Sequence, residues 1–329
     1  MKRLRWIGIC VLLLFLAGGY AVWRISRPFQ GFSQPVFIDF PRGTTAMGMG
    51  RLLEDAGVIQ SRWDFWLARL VERGRKLQAG EYRFEKPASP LDIFDRIARG
   101  DIFYYELVVP EGRNMFDIAA EVEALGLFPA AEFLKAARDP LYIRDLDPQA
   151  PSLEGYLFPS TYRLSRHTTP ERLCQIMTTK FREVWRGLGT TACVHDTVTL
   201  ASLVEKEGKL AGERPEIAAV FENRLRIGMK LDCDPTTIYA ALLANRYRGA
   251  IYRSDLDNRD VYNTYQHAGL PPGPIASPGL ASINAALHPA QSAALYFVLR
   301  PDGAGAHQFS DSIAAHQAAV ARYHRGRPK

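Results

Sequence analysis

The sequence predicts an α+β protein with an N-terminal transmembrane helix, a small βααβ unit and a larger mixed α+β domain. Three observations lead to this fold class: an uncharged apolar segment near the N-terminus, a strand-turn-helix pattern that occurs twice, and a long apolar helix in the second half. The chain has 329 residues, of which 47% are hydrophobic and 23% are charged. This is the composition of an ordinary globular protein, and the length suggests two domains.

The positive charge of the chain is concentrated at its N-terminus. Residues 1–27 contain no acidic residue and five basic ones: Lys2, Arg3, Arg5, Arg24 and Arg27. Since the formal net charge is +6, only +1 remains for residues 28–329. A nucleic-acid-binding domain concentrates positive charge on its folded surface, so this nearly neutral body disfavours nucleic acid as a partner.

The first predicted element is a segment of 18 uncharged residues from Trp6 to Trp23. As a helix it is ~27 Å long, close to the hydrocarbon thickness of a membrane, and its terminal tryptophans suit the two interfaces. The preceding basic residues keep the N-terminus in the cytoplasm. The alternative is a cleaved signal peptide, but the small-residue sites at 17–21 are imperfect. We therefore expect residues 1–27 to be a single-pass anchor in the cytoplasmic (inner) membrane, with the remainder extracytoplasmic.

A strand that runs into Pro-x-Gly and then a helix occurs at Ile38–Ile59 and again, 69 residues later, at Leu107–Phe128. A glycine follows each helix, Gly57 and Gly126, as a left-handed helix cap favours. In the first copy Ser61 is a good N-cap for a further helix. A β-rich segment closes each copy, at 77–84 and 153–164. We therefore predict two small α+β units, by duplication or by recurrent architecture, with chance similarity as the alternative.

The first of these units, assigned to residues 28–103, resembles the carbohydrate-binding module LysM, which has the order βααβ. The resemblance implies a shallow glycan-binding groove. The alternative is a spacer that holds the larger domain, residues 104–329, away from the membrane.

The segment 195–207 predicts a helix that is apolar around nearly its whole circumference, with Asp196 or Thr197 as its cap, and therefore a helix inside its domain. Glu205 and Glu207 end it and point about 200° apart, so they cannot share one face. Burial raises the pKa of a carboxyl group, and a protonated carboxyl group can act as a general acid. The alternative is a solvated helix end whose glutamates pair with neighbouring lysines. Helix geometry does not choose between the two glutamates.

Five segments resemble the YceG-like family of endolytic murein transglycosylases, and the resemblance extends over essentially the whole chain after the anchor. They are LEGYLFPSTY (153–162), ASLVEKEG (201–208), ERPEIAAVFENRLRIGMKLDCDPTTIYA (213–240), YNTYQHAGLPPGPIASPG (262–279) and INAALHPA (283–290). The resemblance implies a catalytic domain at 104–329 that cleaves the β-1,4 bond between N-acetylmuramic acid and N-acetylglucosamine in nascent peptidoglycan, helping to terminate strand elongation. It also implies that the first glutamate of the Glu-Lys-Glu run, Glu205, is catalytic.

The implied reaction needs a single carboxyl group. Glu205 would protonate the glycosidic oxygen, and its carboxylate would then take the proton of the muramic acid 6-hydroxyl as that oxygen attacks C1. The product is a 1,6-anhydro end, and the tethered hydroxyl replaces an activated water. One alternative is a hydrolytic muramidase, which needs a second carboxylate such as Glu154 or Glu213. The other is a non-catalytic peptidoglycan-binding scaffold.

Eight further residues are candidate substrate contacts, because aromatic faces stack on sugars and polar side chains bond to hydroxyl groups. They are Glu154, Tyr156, Tyr162, Glu207, Asn223, Tyr262, Asn263 and Thr264. Packing of the domain is the alternative for the first three, and anchoring of a helix to the next loop is the alternative for Asn223 and Arg224.

The remaining expectations concern caps, thiols and partners. Asp234 is expected to cap the helix that Pro235 begins. No metal-ligand spacing occurs, and no metal or cofactor is expected. Cys174, Cys193 and Cys233 are expected to be buried free thiols, with one disulfide and a leftover thiol as the alternative. The implied partners are peptidoglycan glycan strands, the cytoplasmic membrane and peptidoglycan synthases.

Overall fold

The structure is a computed structural model that describes residues 2–302 and 305–326. Within these residues it contains α-helices and three two-stranded sheets, which confirms the mixed α+β fold class. The chain divides into two compact units, one that ends at Tyr105 and one that begins at Glu106.

Helix α1 (Lys2–Ser26) begins the first unit. Its part from Trp6 to Ser26 is long and apolar enough to cross a membrane, by length and composition. At its end Ile25 is buried, and the Arg24 Nε donates a hydrogen bond to Asp64 Oδ1 at 2.6 Å. The predicted apolar helix is confirmed, and its membrane insertion stays a prediction.

The rest of the first unit follows the order βααβ, with one further helix. Ser61 caps α3 by accepting a hydrogen bond from the Trp63 amide, as predicted. The two strands are antiparallel, with Val36 opposite Phe84, and large side chains such as Phe40, Phe65 and Phe94 fill the core. The likeness of this unit to LysM stays a prediction. Its elements are β1 (Val36–Phe40), α2 (Ala46–Asp55), α3 (Arg62–Val71), β2 (Gly80–Phe84) and α4 (Pro90–Arg99).

The predicted recurrence of a strand-turn-helix pattern is present in the structure. The second strand-helix pair begins 69 residues after the first, at positions 105 and 115 against 36 and 46. Gly57 and Gly126 have nearly equal backbone angles, φ +69° and +70°. The elements of the second copy are β3 (Tyr105–Val109), α5 (Met115–Ala124), α6 (Ala130–Ala137) and β4 (Ser160–Leu164), and β4 pairs with β3.

The remainder of the second unit surrounds one buried helix, α8. Leu200, Leu203 and Val204 from this helix pack in a core with Ile217, Phe221 and other apolar side chains. The elements of this part are α7 (Pro170–Gly187), α8 (Val194–Glu207), α9 (Arg214–Arg226), α10 (Asp234–Leu243), α11 (Arg253–Leu256), α12 (Leu280–Leu287), β5 (Tyr296–Leu299), β6 (His307–Ser310) and α13 (Ile313–Gly326).

The structure corrects three local expectations. Helix α8 begins earlier than predicted, so Cys193 is its N-cap in place of Asp196 or Thr197. Cys233 is the N-cap of α10, and Asp234 is the first residue of that helix. Cys193 is exposed, whereas the other two thiols of the second unit, those of Cys174 and Cys233, are buried and free as expected.

Gly155 allows the segment after Glu154 to approach α8 closely. Its φ is +85°, and a Cβ atom placed on it lies 2.4 Å from Pro274 Cβ and 3.1 Å from Val198 Cγ1. Only a residue without a side chain fits between these neighbours.

We predict that Gly155→Ala destabilises the protein more than Gly189→Ala does. Gly189 also has a left-handed backbone, with φ +60°, but nothing lies within 4 Å of its added Cβ. The control therefore measures the backbone cost of about 1 kcal/mol, and Gly155→Ala adds about 2 kcal/mol of overpacking. Urea unfolding measures both, and equal losses would contradict the close approach.

Candidate active site

Helix α8 determines where the predicted catalytic carboxyl groups lie. Its residues from Thr197 to Val204 are all buried, in agreement with the apolar circumference seen in the sequence. The last turn, which holds Glu205, Lys206 and Glu207, leaves this buried stretch and reaches polar surroundings. The two glutamates leave the helix in different directions and have different partners.

Both carboxylate oxygens of Glu205 are occupied. Oε1 accepts a hydrogen bond from Arg214 Nη2 at 2.9 Å, and Oε2 accepts one from the Gly279 amide at 3.0 Å. The Glu205 side chain is 5% exposed. The Arg214 guanidinium also lies 3.5 Å from Glu111 Oε2, so one cation bridges two carboxylates.

Hydrogen bonds join three loops around this ion pair. Lys206 Nζ donates to the Gly112 carbonyl at 3.2 Å, and the Gly112 amide donates to the Ser277 carbonyl at 2.9 Å. The Ser277 amide in turn donates to the Arg113 carbonyl at 2.8 Å. The turn after β3, the end of α8 and the loop before α12 are therefore fixed to one another.

Glu207 is half-buried and has no cation as partner among the described residues. Burial raises the pKa of its carboxyl group above the ordinary value. The Cys233 thiol donates a hydrogen bond to Glu207 Oε1 at 3.4 Å. A protonated carboxyl group that is buried in this way can donate a proton to a ligand beside it.

Glu207 lies on the wall of an open cavity of about 420 Å³. Aromatic rings and carboxylates share this wall, a combination that suits sugars, since rings stack on their faces and carboxylates accept bonds from their hydroxyls. The lining residues are Glu207, Phe221, Arg224, Leu231, Asp232, Cys233, Asp234, Tyr265, Tyr296, Phe297, Ile313 and His316.

The charged side chains of the cavity wall form hydrogen bonds or ion pairs with neighbouring residues. Asp234 Oδ1 accepts a hydrogen bond from the Tyr265 hydroxyl at 2.7 Å. Asp232 has a left-handed backbone, φ +48°, and its carboxylate lies 3.5 Å from Arg224 Nη1. Burial raises the pKa of Asp232 and lowers that of Arg224. The pair therefore adds little net charge to the cavity.

Three of the predicted substrate contacts lie inside the fold. Glu154 Oε2 accepts a hydrogen bond from the Met115 amide at 2.9 Å, at the start of α5. The Tyr156 hydroxyl donates to Asp147, and the Tyr162 hydroxyl donates to the Phe158 carbonyl. All three side chains are buried, which favours the packing alternative for them.

Asn223 lies on α9, and its side chain connects that helix by hydrogen bonds to the segment before β5. Its amide donates to the carbonyls of Ser292, at 2.8 Å, and Ala294, at 2.9 Å. The neighbouring Arg224 donates to the Leu295 carbonyl at 2.7 Å. These bonds are those of the anchoring alternative.

The predicted polar edge at 262–265 is folded inward, with the exception of its last residue. Asn263 is fully buried and donates to three backbone carbonyls of the 255–258 segment. Thr264 Oγ1 accepts from the Cys233 amide at 3.0 Å, and Tyr262 packs against Tyr239 with ring centroids 5.0 Å apart. Of this edge, Tyr265 lines the cavity.

Arg214 and Glu111 are site residues that the sequence does not predict, whereas Tyr265 belongs to the predicted polar edge. Arg214 follows Glu205 by nine residues, in a different helix, so no helical spacing relates them. The Pro-x-Gly turn that holds Glu111 was recognised only as a turn. Among residues 2–302 and 305–326, no group of three or more His, Cys, Asp or Glu side chains is arranged to hold a metal ion.

Comparison with known proteins gives consistent matches. The model of the YceG-like family matches residues 38–322. An endolytic murein transglycosylase of Bacillus subtilis is 30% identical over 309 residues, which are 88% of this chain and 84% of that protein. One from Streptococcus pneumoniae D39 is also 30% identical, over 87% of this chain. The chain spans only 59% of that streptococcal protein's length.

A solved structure matches as well. The crystal structure of a YceG-like protein from Listeria monocytogenes aligns with a TM-score of 0.56 at 28% identity. The alignment covers 87% of this chain and 98% of the Listeria chain.

We predict a strong energetic coupling between Arg214 and Glu205. Arg214→Met leaves a buried carboxylate without its cation and costs about 3 kcal/mol of unfolding free energy. Adding Glu205→Gln removes that charge, so the double variant loses less than the sum of the two single losses, by about 2 kcal/mol. Urea unfolding of the wild type, the two single variants and the double variant measures this coupling.

The exposed pair Arg253 and Asp257, at 3.2 Å with side chains 85% and 58% exposed, is the matched control. Its coupling is expected to stay below about 0.5 kcal/mol. A cycle for Arg214 and Glu205 as small as this one would contradict the buried ion pair.

We also predict that Glu154 lowers stability as the pH rises. Burial raises the pKa of Glu154 to about 8, above its value in the unfolded chain, so the folded state binds the proton more tightly. The contribution of Glu154 to the free energy of unfolding is therefore fully present below about pH 4.5 and is lost as the pH rises towards 8, by up to about 4 kcal/mol. Glu154→Gln removes this part of the slope and leaves the part that comes from the raised pKa values of Glu207 and Asp232, as urea unfolding at several pH values will measure. A variant with the wild-type slope would assign the pH dependence to another group.

Proposed function

The chain belongs to the YceG-like family, and from this premise we propose that it is an endolytic murein transglycosylase. Such an enzyme is a lyase that cuts within peptidoglycan strands. The support is the match of the family model to most of the second unit and much of the first, together with relatives of that name over nearly nine tenths of the chain. The apolar helix α1 fits a single-pass anchor, with the catalytic unit outside the cytoplasm.

We propose that Glu207, not Glu205, is the proton donor. The resemblance implies Glu205, but both oxygens of that carboxylate already accept hydrogen bonds, from a guanidinium at 2.9 Å and from an amide at 3.0 Å, and Glu205 does not line the cavity. The observation that carries the proposal is the position of Glu207 on the wall of the cavity, with a raised pKa and no cation as partner among the described residues.

The proposed reaction breaks the β-1,4 bond between N-acetylmuramic acid and N-acetylglucosamine. Protonated Glu207 gives its proton to the glycosidic oxygen as the bond to C1 breaks. The Glu207 carboxylate then takes the proton of the muramic acid 6-hydroxyl, whose oxygen bonds to C1. The enzyme returns to its protonated state, and the strand is left with a 1,6-anhydro end. Because the nucleophile is part of the same sugar, no second carboxylate is needed.

Glu205 then serves as a positioning residue. Through Arg214 and the Gly279 amide it connects the end of α8 with the turn at Glu111 and the loop before α12. These contacts fix the last turn of the helix from which Glu207 projects. Tyr265 and Tyr296, on the cavity wall, are the aromatic rings that we expect to stack on the sugars.

One observation favours a second candidate function, a hydrolytic muramidase. Asp232 and Asp234 line the same cavity as Glu207, and either would supply the second carboxylate that hydrolysis requires. Glu154 and Glu213, the candidates from the sequence, are less suitable, since Glu154 is buried and Glu213 accepts hydrogen bonds from His307. A role in strand termination, partnership with peptidoglycan synthases and glycan binding by the first unit stay predictions.

We predict that Glu207→Gln abolishes cleavage of purified glycan strands, with a loss of 10³-fold or more. Glu205→Gln keeps its bond to the Gly279 amide and is expected to lose about tenfold or less. Mass spectrometry of the digest also separates the reactions, because an anhydro end lacks one water relative to a reducing end. Since the acid form is required, the rate should fall as the pH rises through the raised pKa of Glu207.

The pair of variants decides between the two glutamates. The reverse order of activities would return the acid role to Glu205, and full activity of both variants would favour the non-catalytic scaffold. Products with reducing ends would favour the muramidase, with Asp232→Asn and Asp234→Asn as the next variants.

A further inference from the structure

The outward face of α3 carries large apolar and basic side chains and no acidic one. Trp63, Trp66 and Leu70, at the spacing i, i+3 and i+7, are 60%, 38% and 36% exposed. Arg69, at helical spacing next to Trp66, and Arg73, two residues after the helix, are exposed, and neither has an ion pair within the described residues. The opposite face, with Phe65 and Ala68, packs into the core.

This face lies beside the end of the apolar helix α1. Asp64, in the first turn of α3, accepts two hydrogen bonds from Arg24, at 2.6 and 3.4 Å, and Arg24 directly follows Trp23. The first turn of α3 is therefore at the level where α1 would leave the hydrocarbon region. Tryptophan is enriched at that level of membranes.

The connection between α1 and the rest of the first unit is short and hydrogen-bonded. Phe29 forms a β-bridge with Ala88, and the Gly31 amide donates to the Gly57 carbonyl at 2.8 Å. Ile25 is buried. Because no long linker separates the two parts, the orientation of α1 determines that of α3.

A basic and aromatic cavity adds a third observation. It has a volume of about 410 Å³ and lies between the end of α1 and the unit. Arg27 stands over the Trp23 ring, 5.4 Å from its centroid, and both line the cavity with Arg24 and Tyr20. Guanidinium groups next to interfacial aromatic rings suit the phosphate of a lipid headgroup.

We propose that the face formed by Trp63, Trp66, Arg69, Leu70 and Arg73 docks on the anionic headgroup region of the membrane that α1 spans. Apolar and aromatic side chains interleaved with arginines are the pattern of a helix that lies in the membrane interface. The docking rests on the proposed membrane anchor. It holds the first unit against the lipid surface, so that this unit does not swing freely on α1.

Glycan is the competing occupant of part of this face. Trp66 and Arg69 also border an open cavity of about 740 Å³, together with Thr44–Met47 and Gly74–Leu77. The lipid is favoured because Trp63 lies outside that cavity and faces the same side as Trp66, with ring centroids 6.3 Å apart, and because the arginines complement an anionic surface.

The test uses tryptophan fluorescence of the full-length chain in vesicles of phosphatidylcholine and phosphatidylglycerol. Lipids brominated near the headgroup should quench the emission of Trp63 and Trp66 in addition to that of Trp6 and Trp23. Trp63→Phe with Trp66→Phe should therefore lower the lipid-quenchable emission by about half. Arg69→Gln with Arg73→Gln should reduce quenching in anionic vesicles. The control, Arg51→Gln with Arg99→Gln, removes two exposed arginines from other helices and should leave the quenching unchanged.

The outcomes separate the anchor from the docking. A chain that resists carbonate extraction but whose Trp63 and Trp66 are quenched by acrylamide, and not by the bromolipid, would overturn the docking alone. A shift of their emission by soluble N-acetylglucosamine oligomers, without lipid quenching, would assign the face to glycan. A chain that carbonate removes from the vesicles would overturn the anchor and the docking with it.

Discussion

Helix α8 is buried from Thr197 to Val204, and the two carboxyl groups at its C-terminal end must each be compensated separately. They project in different directions, and the negative end of the helix dipole disfavours both charges. The Glu205 carboxylate accepts hydrogen bonds from a guanidinium and a backbone amide. Glu207 accepts one from a thiol and lies half-buried on the cavity wall, and burial raises its pKa. One helix thus presents a structural anion and a potential acid, two residues apart.

The groups that contact the Glu205 carboxylate also hold the surrounding segments of the chain together. Arg214 begins α9, Gly279 precedes α12, and Glu111 lies in the turn after β3. Each partner of this ion cluster therefore comes from a different segment of the chain. A buried ion pair adds modest net stability but is costly to break, and this property suits a cluster that holds three loops around the end of one helix. Gly279 has no side chain because Glu111 occupies the space: a Cβ there lies 1.9 Å from Glu111 Oε1.

Local sequence patterns predict the helices and strands, but they do not predict which partners the side chains contact. Spacing and composition predict the N-terminal apolar helix, the recurrent strand-helix pair, the cap at Ser61 and the helix ending at Glu207, and the structure has them. The choice between Glu205 and Glu207 depends on partners far along the chain, such as Gly279, 74 residues away. Asn263 illustrates the same limit. A polar side chain in a loop predicts a ligand contact. The Asn263 side chain is instead fully buried and donates hydrogen bonds to three backbone carbonyls.

The Pro-x-Gly turn occurs in both copies, and a single side chain decides whether it belongs to the ion cluster. Pro41-Arg42-Gly43 and Pro110-Glu111-Gly112 occupy equivalent positions and both have a left-handed glycine, with φ +88° and +77°. In the first unit the middle residue is an exposed arginine. In the second it is a glutamate that shares Arg214 with Glu205. The backbone of the turn is therefore common to both copies, and the sign of one side chain decides which copy contributes to the ion cluster. An arginine at position 111 would face Arg214 and remove the bridge, whereas the turn itself would remain.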